Sequence, residues 1–257
     1  MSETSRTEPT IIDTGVDGIT MRLTPTERVT VRNFVDCNMA TAWVGDEFRI
    51  FPGKYGEDPL WGDARELKFA GGATVAEAFD RAPEEFVEPT LPPNAPPGEP
   101  GLHGAVWFET IYQDPADESG RTLYALYHNE NYPSTLPFDE ATGEGYRDVD
   151  WPPGLTGPEG VQAVPRIGIM KSTDGGESWA NHGILLEDRD DRMIRLPVNR
   201  NNCFPGGVGD PSAVASGDHL YVFFGEYAYP TAWDASSWDR ETEAAAQCVS
   251  VARVKPA

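Results

Sequence analysis

Three acidic residues stand at equivalent places in this chain and could share one piece of chemistry. Asp36 precedes a short apolar run at 39–44, Glu109 one at 110–113 and Asp210 one at 213–215. Each run leads through a turn rich in Gly or Asp into an aromatic-rich run: 48–51, 123–127 and 220–224. Carboxylates gathered around one pocket can divide acid–base work. One whose pKa is raised by burial gives up a proton near neutral pH, while one that stays ionised accepts a proton or attacks. Glu109 lies between Phe108 and Thr110, next to Trp107. Apolar neighbours disfavour its charged form, which makes it the candidate acid. For any single one of the chain's 42 acidic residues, capping a strand or binding a loop amide is the simpler role. The chemical case rests on the three together. His128-Asn129-Glu130 and Glu226-Tyr227 follow the aromatic runs of the second and third groups, so both could line the mouth of the same pocket.

The elements that must carry these residues are short strands. Alternating apolar and polar residues around Gly45-Asp46, around 117–120 and around Ser216-Gly217-Asp218 predict strand, hairpin turn, strand. The recurrence implies one supersecondary unit used several times. A further strand is predicted after the second unit at 166–170 and after the third at 249–254. Residues 83–101, with seven prolines, and 132–160 read as loops. Only 75–79 and the Ala-rich 238–246 look helical, as short connectors. Residues 1–27 form a polar arm with one possible strand at 18–23, and 28–257 a single all-β domain.

Composition narrows the partners. With 23 Pro and 26 Gly in 257 residues, the chain suits many short strands and tight turns. A net charge of −22 repels phosphate backbones and anionic lipid, which argues against nucleic-acid and membrane binding. No D-x-D-x-D-G loop is present; no cofactor is called for, and a structural calcium ion is left open. Cys37, Cys203 and Cys248 are odd in number and far apart, against a zinc site or a disulfide framework. The first nine residues lack the apolar segment of a signal peptide, so the chain reads as cytoplasmic, or secreted if a leader was removed.

Ser172-Thr173-Asp174-Gly175-Gly176-Glu177-Ser178-Trp179 fits S-x-D-x-G-x-x-W at every fixed position. Its logic is a hairpin turn in which Ser172 and Asp174 bond the loop's own amides, the glycines supply positive φ, and Trp179 packs as the strand returns. This resembles the Asp-box (BNR repeat) of sialidases and related β-propellers. There it marks the fold on the propeller's outer side, so the resemblance implies a structural role for Asp174 and Trp179.

The stretches around Trp107-Phe108-Glu109 with 123–130, and around Gly209-Asp210-Pro211-Ser212 with 220–227, look like the blade openings of five-bladed arabinanase-, xylosidase- and invertase-like glycosidases. The resemblance implies a β-propeller of four-stranded antiparallel blades, with one carboxylate at the start of the innermost strand in each of three blades. It implies carbohydrate as partner, with Asp36 as base or nucleophile, Glu109 as acid and Asp210 as a third carboxylate that tunes or binds. The family order is Asp, Asp, Glu, whereas this chain reads Asp, Glu, Asp. Trp43, Trp61, Trp107 and Trp151 are available to stack on sugar rings. A non-catalytic propeller that binds a glycan or a protein is the alternative. A sialidase is a second, although Phe48-Arg49-Ile50-Phe51 lacks the proline of the Arg-Ile-Pro motif. Three recognisable blades fall short of the usual four or more, and an unclosed propeller would expose strand edges and favour self-association.

Overall fold

A computed structural model describes residues 10–13, 20–23, 38–58, 62–63, 67–95, 101–102, 104–131, 164–187, 207–226 and 248–255. Strands β1 (Thr10–Asp13) and β2 (Thr20–Leu23) pair as an antiparallel hairpin, where the sequence suggested one strand. They are followed by β3 (Thr41–Val44), β4 (Glu47–Ile50), β5 (Lys54–Asp58), β6 (Gly62–Asp63) and β7 (Ala70–Gly72). Helix α1 (Val75–Phe79) comes next, capped by the Thr74 hydroxyl, which accepts from the Glu77 amide. The remaining strands are β8 (Ala105–Gln113), β9 (Leu123–Asn131), β10 (Val164–Ser172), β11 (Ala180–Leu186), β12 (Val208–Ser216), β13 (His219–Glu226) and β14 (Cys248–Val254). The fold is all-β, and among the described residues no helix is long and apolar enough to cross a membrane.

Three antiparallel sheets follow the three sequence units. The first has the order β3-β4-β7, the third β12-β13-β14, and the middle one β11-β10-β9-β8-β5-β6; none closes on itself among the described residues. The middle sheet contains the expected four-stranded meander, extended on its β8 side because Lys54, Tyr55 and Gly56 pair with Trp107, Val106 and Ala105. Strand β8 is therefore not an edge along that stretch. Glu109 lies just beyond it. The Pro-rich segment is also less loose than its composition suggests. Pro83–Glu85 is a 3₁₀ turn, and isolated bridges join Phe69 to Val87 and Thr90 to Ser178.

Alternation gives the middle sheet two apolar faces. On one face Leu123, Ala125 and Tyr127 join Val106 and Phe108 in a core shared with Val44, Phe51 and Trp179. On the other, Leu126 packs with Leu220 and Val222 of the third sheet. Residues 126, 128 and 130 share this second face, so the sheet that seals the core also carries His128 toward β12.

The loop at 172–179 has the hydrogen bonds its sequence requires. Ser172 Oγ accepts from the Gly176 amide at 2.8 Å, and Asp174 Oδ1 accepts from the Ser178 amide at 2.9 Å. Gly175 and Gly176 adopt φ of 80° and 98°. Trp179 donates from Nε1 to the Gly176 carbonyl and packs edge-on against Phe108, with ring centroids 4.8 Å apart. Arg49 Nη1 donates to the Gly175 carbonyl at 2.9 Å, which ties the loop to the first sheet. A Cβ at Gly176 would stand 2.6 Å from the Phe51 ring, at a φ unfavourable for L side chains. Gly176→Ala should therefore destabilise the fold by about 2–4 kcal/mol, read as a lower urea midpoint with an unchanged slope.

Candidate functional site

Both described acidic residues of the trio sit where strand register breaks. In β8 the pairing passes from Phe108–Tyr127 to Thr110–Leu126, which leaves Glu109 as the extra residue of a bulge. In β12 it passes from Gly209–Gly225 to Ser212–Phe223, which leaves Asp210 and Pro211 outside the ladder. Asp210 has φ of 51°, the one positive φ of a non-glycine among the described residues. Asp tolerates that conformation better than most residues. The two bulges face each other, since Thr110 Oγ1 donates to the Pro211 carbonyl at 3.1 Å.

The side chains converge on His128. Its Nδ1 lies 3.3 Å from Asp210 Oδ1 and 4.0 Å from Glu109 Oε1, and its Nε2 lies 3.7 Å from Glu130 Oε1. The Asp210 backbone N–H donates to Nδ1 at 3.2 Å. One nitrogen cannot accept from that amide and donate to the Asp210 carboxylate at once. Neutral His128 thus takes the amide, and the imidazolium turns the same nitrogen toward the carboxylate. Asn38 closes the site from the segment before β3: Nδ2 donates to Glu109 Oε2 at 3.2 Å and to Ser212 Oγ at 3.0 Å.

Glu109 is 3% exposed. Burial is the main reason its pKa is pushed up to about 7, and the Asp210 charge adds to it; His128 and the Asn38 hydrogen bonds pull the other way. For His128, burial disfavours the charged form. The Asp210 hydrogen bond and the charges of Glu130, Asp210 and Glu109 outweigh it, so its pKa lies above the ordinary value.

Glu109, His128 and Asp210 also form the one group among the described residues that could hold a metal ion, with donor atoms within 4.8 Å of one another. That span is about twice a calcium–oxygen distance of ~2.4 Å. Here the Nδ1 lone pair already accepts the Asp210 amide and Glu109 Oε2 already accepts from Asn38. A cation held through Nδ1 would have to replace the Asp210 amide bond, whereas Glu109 could turn Oε1 to it and keep the Asn38 bond on Oε2.

Of the residues singled out in the sequence, Glu109, Asp210, His128 and Glu130 come together. His128 is not at a mouth: it is 4% exposed, beneath the carboxylates. Trp107 is 6% exposed, perpendicular to the His128 ring and under the Lys54 ammonium. Its Nε1 is buried without a hydrogen-bond partner among the described residues. Glu226 ends β13, opposite Val208, and accepts from Ser250 Oγ. Trp43 is 46% exposed beside Phe48 and has a face available. Asp36, Trp61, Trp151 and Tyr227 lie outside the described residues, as does the suggested helix at 238–246. Asn38 was not singled out in the sequence; its one signal is standing two residues beyond Asp36 at a unit opening.

No protein-family model matches the sequence, and it is similar to no curated protein.

A raised folded-state pKa contributes stability that is complete below the unfolded value and is lost as pH rises through the folded one. For Glu109 that window runs from 4.5 to about 7. Between about pH 4.5 and pH 8 the parent protein should therefore lose up to about 3 kcal/mol relative to Glu109→Gln, measured from urea midpoints at the two pH values.

Proposed function

We propose that this chain is a glycosidase-like β-propeller protein in which Glu109 is the general acid. One observation carries the reading: a glutamic acid buried beside a second carboxylate, with a pKa near 7, can be protonated at neutral pH and still give its proton away. The propeller reading draws on the antiparallel order of the three sheets and on the 172–179 loop, which resembles an Asp-box.

In the proposed reaction Glu109 protonates the leaving glycosidic oxygen as its bond to the anomeric carbon breaks. A carboxylate on the opposite side of the ring attacks that carbon, or takes a proton from the water that does. In the first course water then cleaves the glycosyl ester and Glu109 takes its proton back from that water. In the second the proton left on the opposite carboxylate returns to Glu109 through solvent, so each consumes one water. Asp210 is too close for the opposite role, because its carboxylate is within 4.8 Å of the acid. A base acting through water needs about 6.5–9.5 Å between the two carboxyl groups, and a nucleophile about 5–5.5 Å. Asp210 instead keeps Glu109 protonated, and Asp36 is the proposed base or nucleophile by its position in the first unit. Carbohydrate is the proposed partner, and the chemistry needs no cofactor. A sialidase is the weaker alternative, because among the described residues Arg49 bonds Glu47 and the 172–179 loop and Arg166 bonds Asn129 and Glu187.

A screen of aryl glycosides and oligosaccharides on the purified protein, with Glu109→Gln alongside, tests the proposal. Turnover should fall by about 10²–10⁴-fold in the variant while its circular dichroism is unchanged. In the parent protein kcat/KM should decline above about pH 7, and Asp210→Asn should move that decline to lower pH by removing the charge that opposes ionisation. Full turnover by Glu109→Gln would remove the assignment. Glycan binding without turnover by the parent protein would favour a binding propeller.

A further inference from the structure

The Asn38 side chain has two amide hydrogens, and both are placed. One goes to Glu109 Oε2 at 3.2 Å, on the β8 bulge, and the other to Ser212 Oγ at 3.0 Å, two residues beyond Asp210 on β12. The Asn38 backbone N–H is a further donor to the Glu109 carboxylate. Three sheets meet at this residue: Asn38 leads into the first, Glu109 belongs to the second and Ser212 to the third.

We propose that Asn38 is a positioning residue that clamps the Glu109 carboxyl and locks it in register with the strand carrying Asp210. This rests on the reading of Glu109 as an acid. A primary amide nitrogen has two hydrogens about 120° apart in one plane, so bridging two acceptors fixes the distance between them as well as their orientation. Glu109 stands on a bulge, where the ladder no longer restrains its side chain, and the Asn38 donors supply the restraint that β8 lacks. The bonds are also directional in charge, because N–H donors favour the ionised carboxylate and oppose the burial that favours the acid. The other ionisable groups around Glu109 are His128 and Glu130 on β9 and Asp210 on β12, with Lys54 of β5 over the neighbouring Trp107 ring. His128 also links Glu109 to the third sheet, with Nδ1 4.0 Å from Glu109 and 3.3 Å from Asp210, but as an ion pair, whereas Asn38 does so by two directional hydrogen bonds.

The experiment follows the Glu109 carboxyl directly, by ¹³C NMR of glutamate-labelled protein, with the resonance assigned through Glu109→Gln. Asn38→Ala should move the Glu109 midpoint to higher pH, because the side-chain donor is gone. Any activity found should fall about 10–100-fold in kcat with KM little changed, and the alkaline limb of its pH profile should move up in step. Asn38→Asp has the same shape but donates nothing and adds a carboxylate; it should raise the midpoint further and serves if the alanine variant does not fold. Ser212→Ala keeps the Glu109 bond and should leave the midpoint in place. An unchanged Glu109 midpoint in the folded Asn38 variants would overturn the clamp, even if Glu109→Gln abolishes turnover. If no substrate is found, the acid reading fails while the midpoint shift still decides the role of Asn38.

Discussion

The arrangement depends on keeping one carboxyl group inside an all-β core. An ionised carboxylate in such a place costs several kcal/mol unless it is paired or bonded. Glu109 is 3% exposed, and the surrounding structure answers that cost only in part. Asn38 donates to one oxygen and His128 offers a proton-binding neighbour at 4.0 Å, while Asp210 works against both. A fully compensated glutamate would be a permanent anion, and an uncompensated one would remain neutral at every physiological pH. The balance leaves it near the midpoint, where a proton can move either way at little cost.

That balance is assembled at defects in the sheets. A regular β8 would turn successive side chains to opposite faces, which would prevent Glu109 and Thr110 from meeting the same neighbour. The register shift after Phe108 allows both to approach the segment of β12 from Gly209 to Ser212. The matching shift in β12, with Asp210 at a positive φ, brings a backbone N–H and a carboxylate to one imidazole nitrogen. A left-handed non-glycine residue carries a strain of about 1–2 kcal/mol, and here it aligns two groups on His128 rather than packing anything.

How much of this was legible in the sequence follows from how local each signal is. Hairpins such as β3–β4 and β12–β13 are written in adjacent residues, in alternation interrupted by Gly45 or Gly217 at positive φ. The loop at 172–179 was equally readable, because its internal bonds run between residues four apart or fewer. The acid character of Glu109 could be argued from Trp107 and Phe108 alone. The rest depends on distant pairing. The addition of β5 to β8 joins a Gly-rich polar stretch to an apolar strand some fifty positions away, with no local cue for the match. The burial of His128 follows only once Leu126 is known to face the third sheet; the alternation Leu126, His128, Glu130 then requires it. Asn38 had only its place two residues beyond Asp36 as a signal, and Asn before a strand usually serves a turn.

The three sheets are tied by polar links as well as by apolar packing, and the two do different work. Hydrophobic contact through Phe51, Phe108 and Trp179 on one side and Leu126, Leu220 and Val222 on the other is non-directional and tolerates small slips between sheets. Hydrogen bonds do not. Arg49 to the Gly175 carbonyl fixes the first sheet against the 172–179 loop, Thr110 to the Pro211 carbonyl fixes the second against the third, and Asn38 spans all three. A slip of about 1 Å would weaken the apolar contacts by degrees, yet would take the Asn38 bonds beyond hydrogen-bonding distance. The core holds the sheets together, and a few directional bonds attached at the bulges set the geometry of the carboxylate site.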